Sequence, residues 1–409
     1  MQDALTRFPP NRTAALERLQ RFVPHAGRSY AARRNHDLGR DGHQAVSTLS
    51  PYLRARLLTE TEVLTAVLGR HSPSAAEKFI QEVYWRTYWK GWLEMRPGVW
   101  RQYQTALKQT LDDVQTQSGL RARWQAACMG ETGIDCFNAW ARELVETGYL
   151  HNHARMWFAS IWMFTLRLPW ELGADFFLRH LLDGDPASNT LGWRWVAGIQ
   201  TPGKTYLARP ANISKYTEGR FATNRHLARD ATPLDGPPRP DLSPLPDLAA
   251  PDASARTGLI LHEDDLSPGF VLDQGITPIA TTVVSARSGL SPLTVAPHVT
   301  EFAARAAADT VARFGARLGA VSHIDASPQD LGAWARDAGL AQIVTPYAPV
   351  GPAADVLAAL SRAEGAPPLR RLRRAHDSAA WPHATHGFFR FREKIPELLG
   401  QMRAIDIAD

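Results

Sequence analysis

Four short blocks of this sequence bring together residue types that can hold and polarise a flat ligand. Glu82, Trp85, Arg86, Trp89 and Trp92 recur at steps of three, four, seven and ten residues, which on a helix places most of them on one face. A carboxylate and large flat rings on one stripe can line a pocket; the same stripe also reads as a core face with a charged rim. In His151-Asn152-His153-Ala154-Arg155-Met156, Asn152 and Met156 stand one turn apart. An amide beside a soft thioether suits a base-like ligand, although taken alone the block reads first as structural packing. The two histidines are offset by two residues and no carboxylate follows at zinc spacing, so this block is not a metal motif. From Asp183 to Trp195 two acids, an amide and two tryptophans meet in a stretch read as a helix end followed by a Gly/Pro/Asn turn. Scaffolded turns of this kind often carry function. Ser47-Thr48-Leu49-Ser50-Pro51 follows a stretch with Tyr30, Arg33 and Arg34. Its hydroxyls can hold a phosphate at a helix start or serve as a plain N-cap.

The elements that must position these blocks are helical. From Arg12 to Phe221 apolar residues recur at three- and four-residue spacing. This predicts helices over Arg12–Phe22, Glu60–Leu68, Ala75–Met95, Trp100–Thr116, Cys136–Thr147, Asn152–Thr165 and Trp170–Leu182. Ser72-Pro73, Pro97-Gly98, Gly130 to Gly133 and Pro169 supply the breaks. Between Arg229 and Ala255 seven prolines with almost no aromatic residue predict an extended linker. Beyond it, Leu259–Leu261, Ile279–Ser285, Val321–Ile324 and Gln342–Pro346 read as short buried strands. They alternate with helical stretches Glu301–Leu318, Asp330–Ala338 and Ala354–Arg362, the pattern of a parallel-sheet α/β domain. No Gly-x-Gly-x-x-Gly follows the first strand and there is no Walker A motif, so neither classical nucleotide loop is predicted.

Composition narrows the class. The 409 residues suffice for two domains, and 21% charged with 44% hydrophobic suits a globular chain. No apolar run is long enough to span a bilayer, and the N-terminus lacks the apolar stretch of a secretory signal. A cytoplasmic setting is expected. The net charge of +5 is compatible with a nucleic-acid partner. The only cysteines, Cys128 and Cys136, form no disulfide framework or zinc pattern. Of 13 tryptophans, 11 lie between Trp85 and Trp195. Such crowding means a bulky helical core, a stacking platform or an electron path.

In this order the four blocks resemble the flavin-binding domain of the photolyase/cryptochrome family over about Ser29 to Phe221. The most specific parts are Leu49-Ser50-Pro51-Tyr52-Leu53, Glu82 with Trp85-Arg86, Gly148 to Asn152 with Arg155-Met156, and Asp183-Gly184-Asp185 through Asn189 to Trp195. The resemblance implies an all-helical photolyase-like domain over 1–228 holding a U-shaped FAD. A Pro-rich linker over 229–257 and a Rossmann-like parallel-sheet α/β domain over 258–409, similar to the family's antenna domain, would follow. By position, Tyr30, Ser47, Thr48, Leu49 and Ser50 would meet the cofactor's phosphates and ribityl chain, with Glu82 and Arg86 also on the cofactor side. Arg155 and Asp183 would pair beside the isoalloxazine, Asp185 would lie near the ring or the ribityl hydroxyls, and Asn189 would face flavin N5. Glu82, Trp85, Asn152, Met156 and Trp195 would receive a flipped lesion, Trp85 and Trp195 sandwiching two pyrimidines.

The implied activity is light-driven repair of cyclobutane pyrimidine dimers in UV-damaged DNA by a monomeric enzyme, with no membrane partner. The alternatives are a cryptochrome-like photoreceptor that binds FAD without repair, or a flavoprotein without photochemistry that keeps the fold. Asn152, where enzymes for the (6-4) lesion tend to carry histidine, favours the cyclobutane dimer. Trp193 and Trp170 match two members of the family's electron-transfer chain. The third position falls near Thr116 or Gln117, with Trp124 a possible substitute. Three further departures stand out. His153 and Thr48 replace arginines common in the family, and the α/β segment follows the helical one instead of preceding it. Its opening, Leu259 to Leu266, faintly resembles the family's first strand and turn. No antenna pigment is read from it.

Overall fold

Caps and prolines cut the first half of the chain into helices whose apolar stripes leave no alternative to burial. The computed structural model describes residues 2–221, 227–324 and 327–406. The first half holds α1 (Gln2–Arg7), α2 (Arg12–Phe22), α3 (Arg28–Arg33), α4 (Ser50–Arg54), α5 (Glu60–Leu68), α6 (Glu77–Glu94), α7 (Gly98–Thr116), α8 (Ser118–Met129), α9 (Asp135–Thr147), α10 (Asn152–Ser160), α11 (Trp170–His180), α12 (Pro186–Val196) and α13 (Pro210–Tyr216). Local chemistry explains the starts. Asn11 caps α2, and Thr59 with Glu62 closes a capping box on α5, each worth about 1 kcal/mol. The predicted helix over Asn152–Thr165 ends its last turn as a π-helical segment, Ile161–Thr165.

One expectation is corrected here. Pro186–Val196, read as part of a turn, is helix α12. Asp185 accepts the backbone N–H of Ser188 and Pro186 occupies the first turn, where a missing N–H costs nothing.

The second half carries β1 (Thr257–His262), β2 (Pro278–Val284), β3 (Ala320–His323), β4 (Gln342–Pro346) and β5 (Leu369–Leu372). The sheet is parallel throughout, in the order β3-β2-β1-β4-β5. Helices α14 (Gly269–Leu272), α15 (Pro297–Phe314), α16 (Pro328–Asp337) and α17 (Pro352–Leu360) connect the strands. Then α18 (Ala375–Ala380), α19 (Phe388–Arg392) and α20 (Ile395–Asp406) close the chain. Strand β5 and the last three helices were not anticipated. Leu369-Arg370-Arg371-Leu372 is an edge strand of half-buried residues, too polar to announce itself.

Side-chain alternation along the strands divides the core. Leu259, Leu261, Val283 and Val344 join the cluster that runs through the helical half, while Ile260, Val284 and Ile343 pack with Leu331, Ala335 and Leu357 of α16 and α17. One sheet face is thus continuous with the helical core. The proline-rich segment is extended, as expected, but it is strapped down. Leu234 donates to the carbonyl of Ala197 (3.0 Å), and Ser243 to that of Met95 (2.9 Å). Among the described residues no helix is long and apolar enough to cross a membrane.

Candidate flavin and lesion site

The turn Asp183-Gly184-Asp185 is the centre of the site. Arg155, in the first turn of α10, donates from Nε to the carbonyl of Leu150 (2.8 Å) and from Nη2 to Asp183 Oδ2 (2.8 Å). Asp183 is buried, and its Oδ1 has no hydrogen-bond partner among the described residues. Asn189, one turn into α12 and also buried, donates from Nδ2 to the carbonyl of Ala174 (2.9 Å). Asp185 is committed elsewhere. Its Oδ1 caps α12, and its Oδ2 lies 3.4 Å from Lys90 Nζ and 3.8 Å from both Arg54 and Arg86. Burial opposes ionisation, but these three cations hold its carboxyl well below the usual range. Burial, with Arg86 close by, brings Lys90 down to about 8.

Residues that sequence reading did not single out hold this turn. Arg54, fully buried in the last turn of α4, donates from Nε to the carbonyl of Gly184 (2.9 Å) and pairs on its other side with Asp264, just past β1. Arg287 donates to the same carbonyl (3.1 Å). Arg56 is matched by Glu60, Asp265 and Asp377. Two arginines inside the apolar run Leu53 to Leu58, and three consecutive acids at 263–265, were the available signal. Buried like charges need partners from elsewhere.

The expected lesion-side residues sit at the surface of this core. Glu82, Trp85, Met156 and Trp195 are half-buried and Asn152 is exposed. Trp85 stacks on Phe388 of α19, with centroids 3.7 Å apart and planes at 11°. Trp195 stacks on Tyr206 (5.9 Å, 30°). Burial pushes the Glu82 carboxyl up, against the pull of Arg34 and Lys78. Arg86 faces inward, donating to Glu60 (3.3 Å) and to the carbonyl of Leu53 (3.1 Å).

The hydroxyl block is strained. Thr48 has φ +49°, a costly left-handed conformation for a β-branched residue that tends to mark functional sites. Its hydroxyl accepts from Arg18 of α2 (2.5 Å) and donates to the carbonyl of Ser47 (2.8 Å). Arg18 thus brings a guanidinium to the loop from outside the motif. Leu49 is fully buried, Ser50 opens α4, and Tyr30 packs edge-on against Phe22 and Phe79.

Of the expected electron-path residues, Trp193 meets Phe177 (5.1 Å) and Trp162 (6.2 Å). Trp170 lies 5.6 Å from Tyr103, which lies 5.2 Å from Trp100. Trp124 makes no ring contact among the described residues.

This set fits FAD. An unpartnered carboxylate oxygen beside a guanidinium matches the polar rim of an isoalloxazine, and a hydroxyl loop with an added cation matches a phosphate tail.

Comparison with known proteins agrees. Residues 79–222 match the family model described as the FAD binding domain of DNA photolyase. A deoxyribodipyrimidine photo-lyase of Alkalihalophilus pseudofirmus is 30% identical over 222 residues, covering 54% of this chain and 44% of that one. One from Neurospora crassa is 29% identical over 206 residues, covering 49% and 32%. One from Streptomyces griseus is 33% identical over 167 residues, covering 39% and 35%. The chain therefore spans less than half the length of these relatives. The helical half, which carries both the matched segment and the residues that fit FAD, is thus similar to the FAD-binding domain of the photolyase/cryptochrome family.

Proposed function

We propose that this protein repairs cyclobutane pyrimidine dimers in DNA under light. The Arg155–Asp183 pair carries the reading, because it leaves one buried carboxylate oxygen without a partner among the described residues. FAD bound by these residues would supply one-electron photochemistry in its reduced form. The chain's own residues bind and orient. Asp183 and Arg155 hold the ring's polar edge, and Asn189 offers an amide to N5. Ser47, Thr48 and Ser50, with Arg18, hold the phosphate side. Asp185 serves the turn rather than the ribityl chain, since its oxygens are already engaged.

Trp85 and Trp195 offer stacking faces to an extruded dimer, whose poor native stacking lowers the cost of flipping. Glu82, its carboxyl raised by burial, can donate as well as accept at a pyrimidine edge. Asn152 and Met156 line the same surface. In this reading the segment 258–409 is the family's α/β domain, placed behind the helical domain by a rearranged order.

The cryptochrome-like alternative has one observation in its favour: Phe388 covers one face of Trp85 at stacking distance. The test is the absorption spectrum of the purified protein followed by illumination with an irradiated oligonucleotide. A flavin spectrum with light-dependent loss of dimers supports repair. Photoreduction with dimers intact supports the receptor, and a colourless protein that cannot be reconstituted with FAD removes both.

A further inference from the structure

Away from the flavin and lesion site, three arginines converge without a carboxylate to match them. Arg96 lies just past the C-terminal end of α6, Arg194 in α12, and Arg239 on the proline-rich strap. The guanidinium carbons of Arg96 and Arg239 lie 4.3 and 5.9 Å from the centroid of one ring, that of Trp92. Arg239 donates to the carbonyl of Gln200 (2.9 Å), and the N–H of Gln200 donates to the carbonyl of Arg194 (3.0 Å). The Arg239 guanidinium is within electrostatic reach of both Arg96 and Arg194, so the strap, the end of α6 and α12 bring the three charges together.

Their hydrogen bonding is incomplete. Arg96 and Arg194 are only 4% and 3% exposed. Arg96 spends one N–H on the carbonyl of Thr385 (2.7 Å), while its Nε and Nη1 are buried without partners. Arg194 Nε and Gln200 Oε1 likewise have no partner among the described residues. None of the three arginines forms an ion pair among the described residues. Glu171 is within electrostatic reach of Arg194, but burial raises its own carboxyl.

The contrast within this molecule decides the matter. Arg54 and Arg56, equally buried, are each matched by two or more carboxylates. Arg287, buried without an ion pair, still has Glu263, Asp264 and Asp185 within electrostatic reach, whereas buried Arg96 and Arg194, with exposed Arg239 beside them, form no ion pair among the described residues, and such a cluster calls for an anion. Burial and the neighbouring Arg239 bring Arg194 down to about 10, so it stays charged at neutral pH.

We propose that Arg96, Arg194 and Arg239 form a binding site for a compact oxyanion, the phosphate group of a small molecule. Planar guanidinium forks suit a tetrahedral oxyanion through paired, charge-assisted hydrogen bonds. Two of the three arginines are too recessed for a duplex backbone to reach both. Trp92, 2% exposed, presents no open ring face to a base. Because Arg239 belongs to the strap, occupancy also pins the strap to α6 and α12.

Thermal unfolding of the full chain in inorganic phosphate, against chloride at matched ionic strength, tests this. The wild type should gain a saturable rise in Tm with phosphate. Arg239→Gln, on the exposed strap, should weaken the apparent phosphate affinity about tenfold, the worth of one charge-assisted pair. Arg194→Met should unfold no earlier than wild type in chloride, because it removes an uncompensated charge, and should lose the phosphate response. No saturable response in the wild type, or an equal one in both variants, overturns the site. So does a clear loss of stability of Arg194→Met in chloride, which would make Arg194 structural. A short undamaged duplex that competes with phosphate, and whose binding Arg239→Gln weakens equally, would assign the cluster to nucleic acid and overturn the small-ligand reading.

Discussion

Arg54 and Asp264, 210 positions apart, form a buried ion pair, and Arg54 uses its Nε–H to hold the carbonyl of Gly184 at 2.9 Å. The end of β1 therefore sets the backbone between the two aspartates of the candidate flavin site. The sheet half contributes the anion, the α4 segment the cation, and the turn between α11 and α12 receives the result. In a parallel sheet of this order, ligands commonly sit beyond the strand ends where the order reverses, between β1 and β4. Here that place is taken by contact with the helical half. Leu266 donates to the carbonyl of Ala55, and Tyr347 to Glu94.

Breaking this pair should therefore affect flavin binding as well as folding. Asp264→Asn leaves Arg54 short of its counter-charge, a change that costs about 3–5 kcal/mol in a buried site. Asp377→Asn, at Arg56 (2.6 Å), should cost less, because Arg56 keeps Glu60 and Asp265, and should not loosen the Gly184 turn. Urea unfolding should show both losses, while the flavin-to-protein absorbance ratio after gel filtration should fall for Asp264→Asn alone.

Asp183→Asn tests the pair proposed to face the flavin. It removes the charge that Arg155 meets at 2.8 Å but keeps the shape. The side chain of Arg155 is 23% exposed, so water can resolvate the freed guanidinium and the stability loss should stay within about 1–2 kcal/mol. Flavin retention should drop and the visible band should shift. An unchanged spectrum and full retention would argue that the pair faces away from the ring.

Trp195→Ala should separate lesion binding from cofactor binding. Among the described residues its ring stacks on Tyr206 alone, and it is half-buried, so truncation should leave FAD bound. Affinity for a dimer-containing oligonucleotide should fall by about 1–3 kcal/mol, the usual worth of one base–aromatic stack. Simultaneous loss of flavin would make Trp195 a packing residue. Binding of the wild type should weaken steeply with salt.

Glu94 should give the protein a pH-dependent stability. Burial raises its carboxyl to about 7, although the N–H of Val350 and the hydroxyl of Tyr347 pull the other way. The folded state thus holds this proton more tightly than the unfolded chain, whose Glu titrates near 4.3. Glu94's contribution is complete below about pH 4.3 and is lost as pH rises through 7. A Tm series from about pH 5 to 8 should decline in the wild type and flatten in Glu94→Gln. A parallel decline in both would place the effect elsewhere.

Periodicity alone placed α2 and α5 to the residue, and β4 as well, because an amphipathic face or a short buried run is a local property. The motif order was also legible, since Glu82, Arg155, Asp183, Asn189 and Trp195 carry distinctive residue types at distinctive intervals. Helix α12 was misread because Asp, Gly, Pro and Asn at its start spell a turn until Asp185 is seen to cap it. What only the folded chain decided is charge compensation. Whether a buried arginine is matched depends on partners brought in from distant segments, as with Arg54 and Asp264, or is left unmet, as with Arg194. Electrostatic energy follows distance in space, and spacing along a chain does not record that distance.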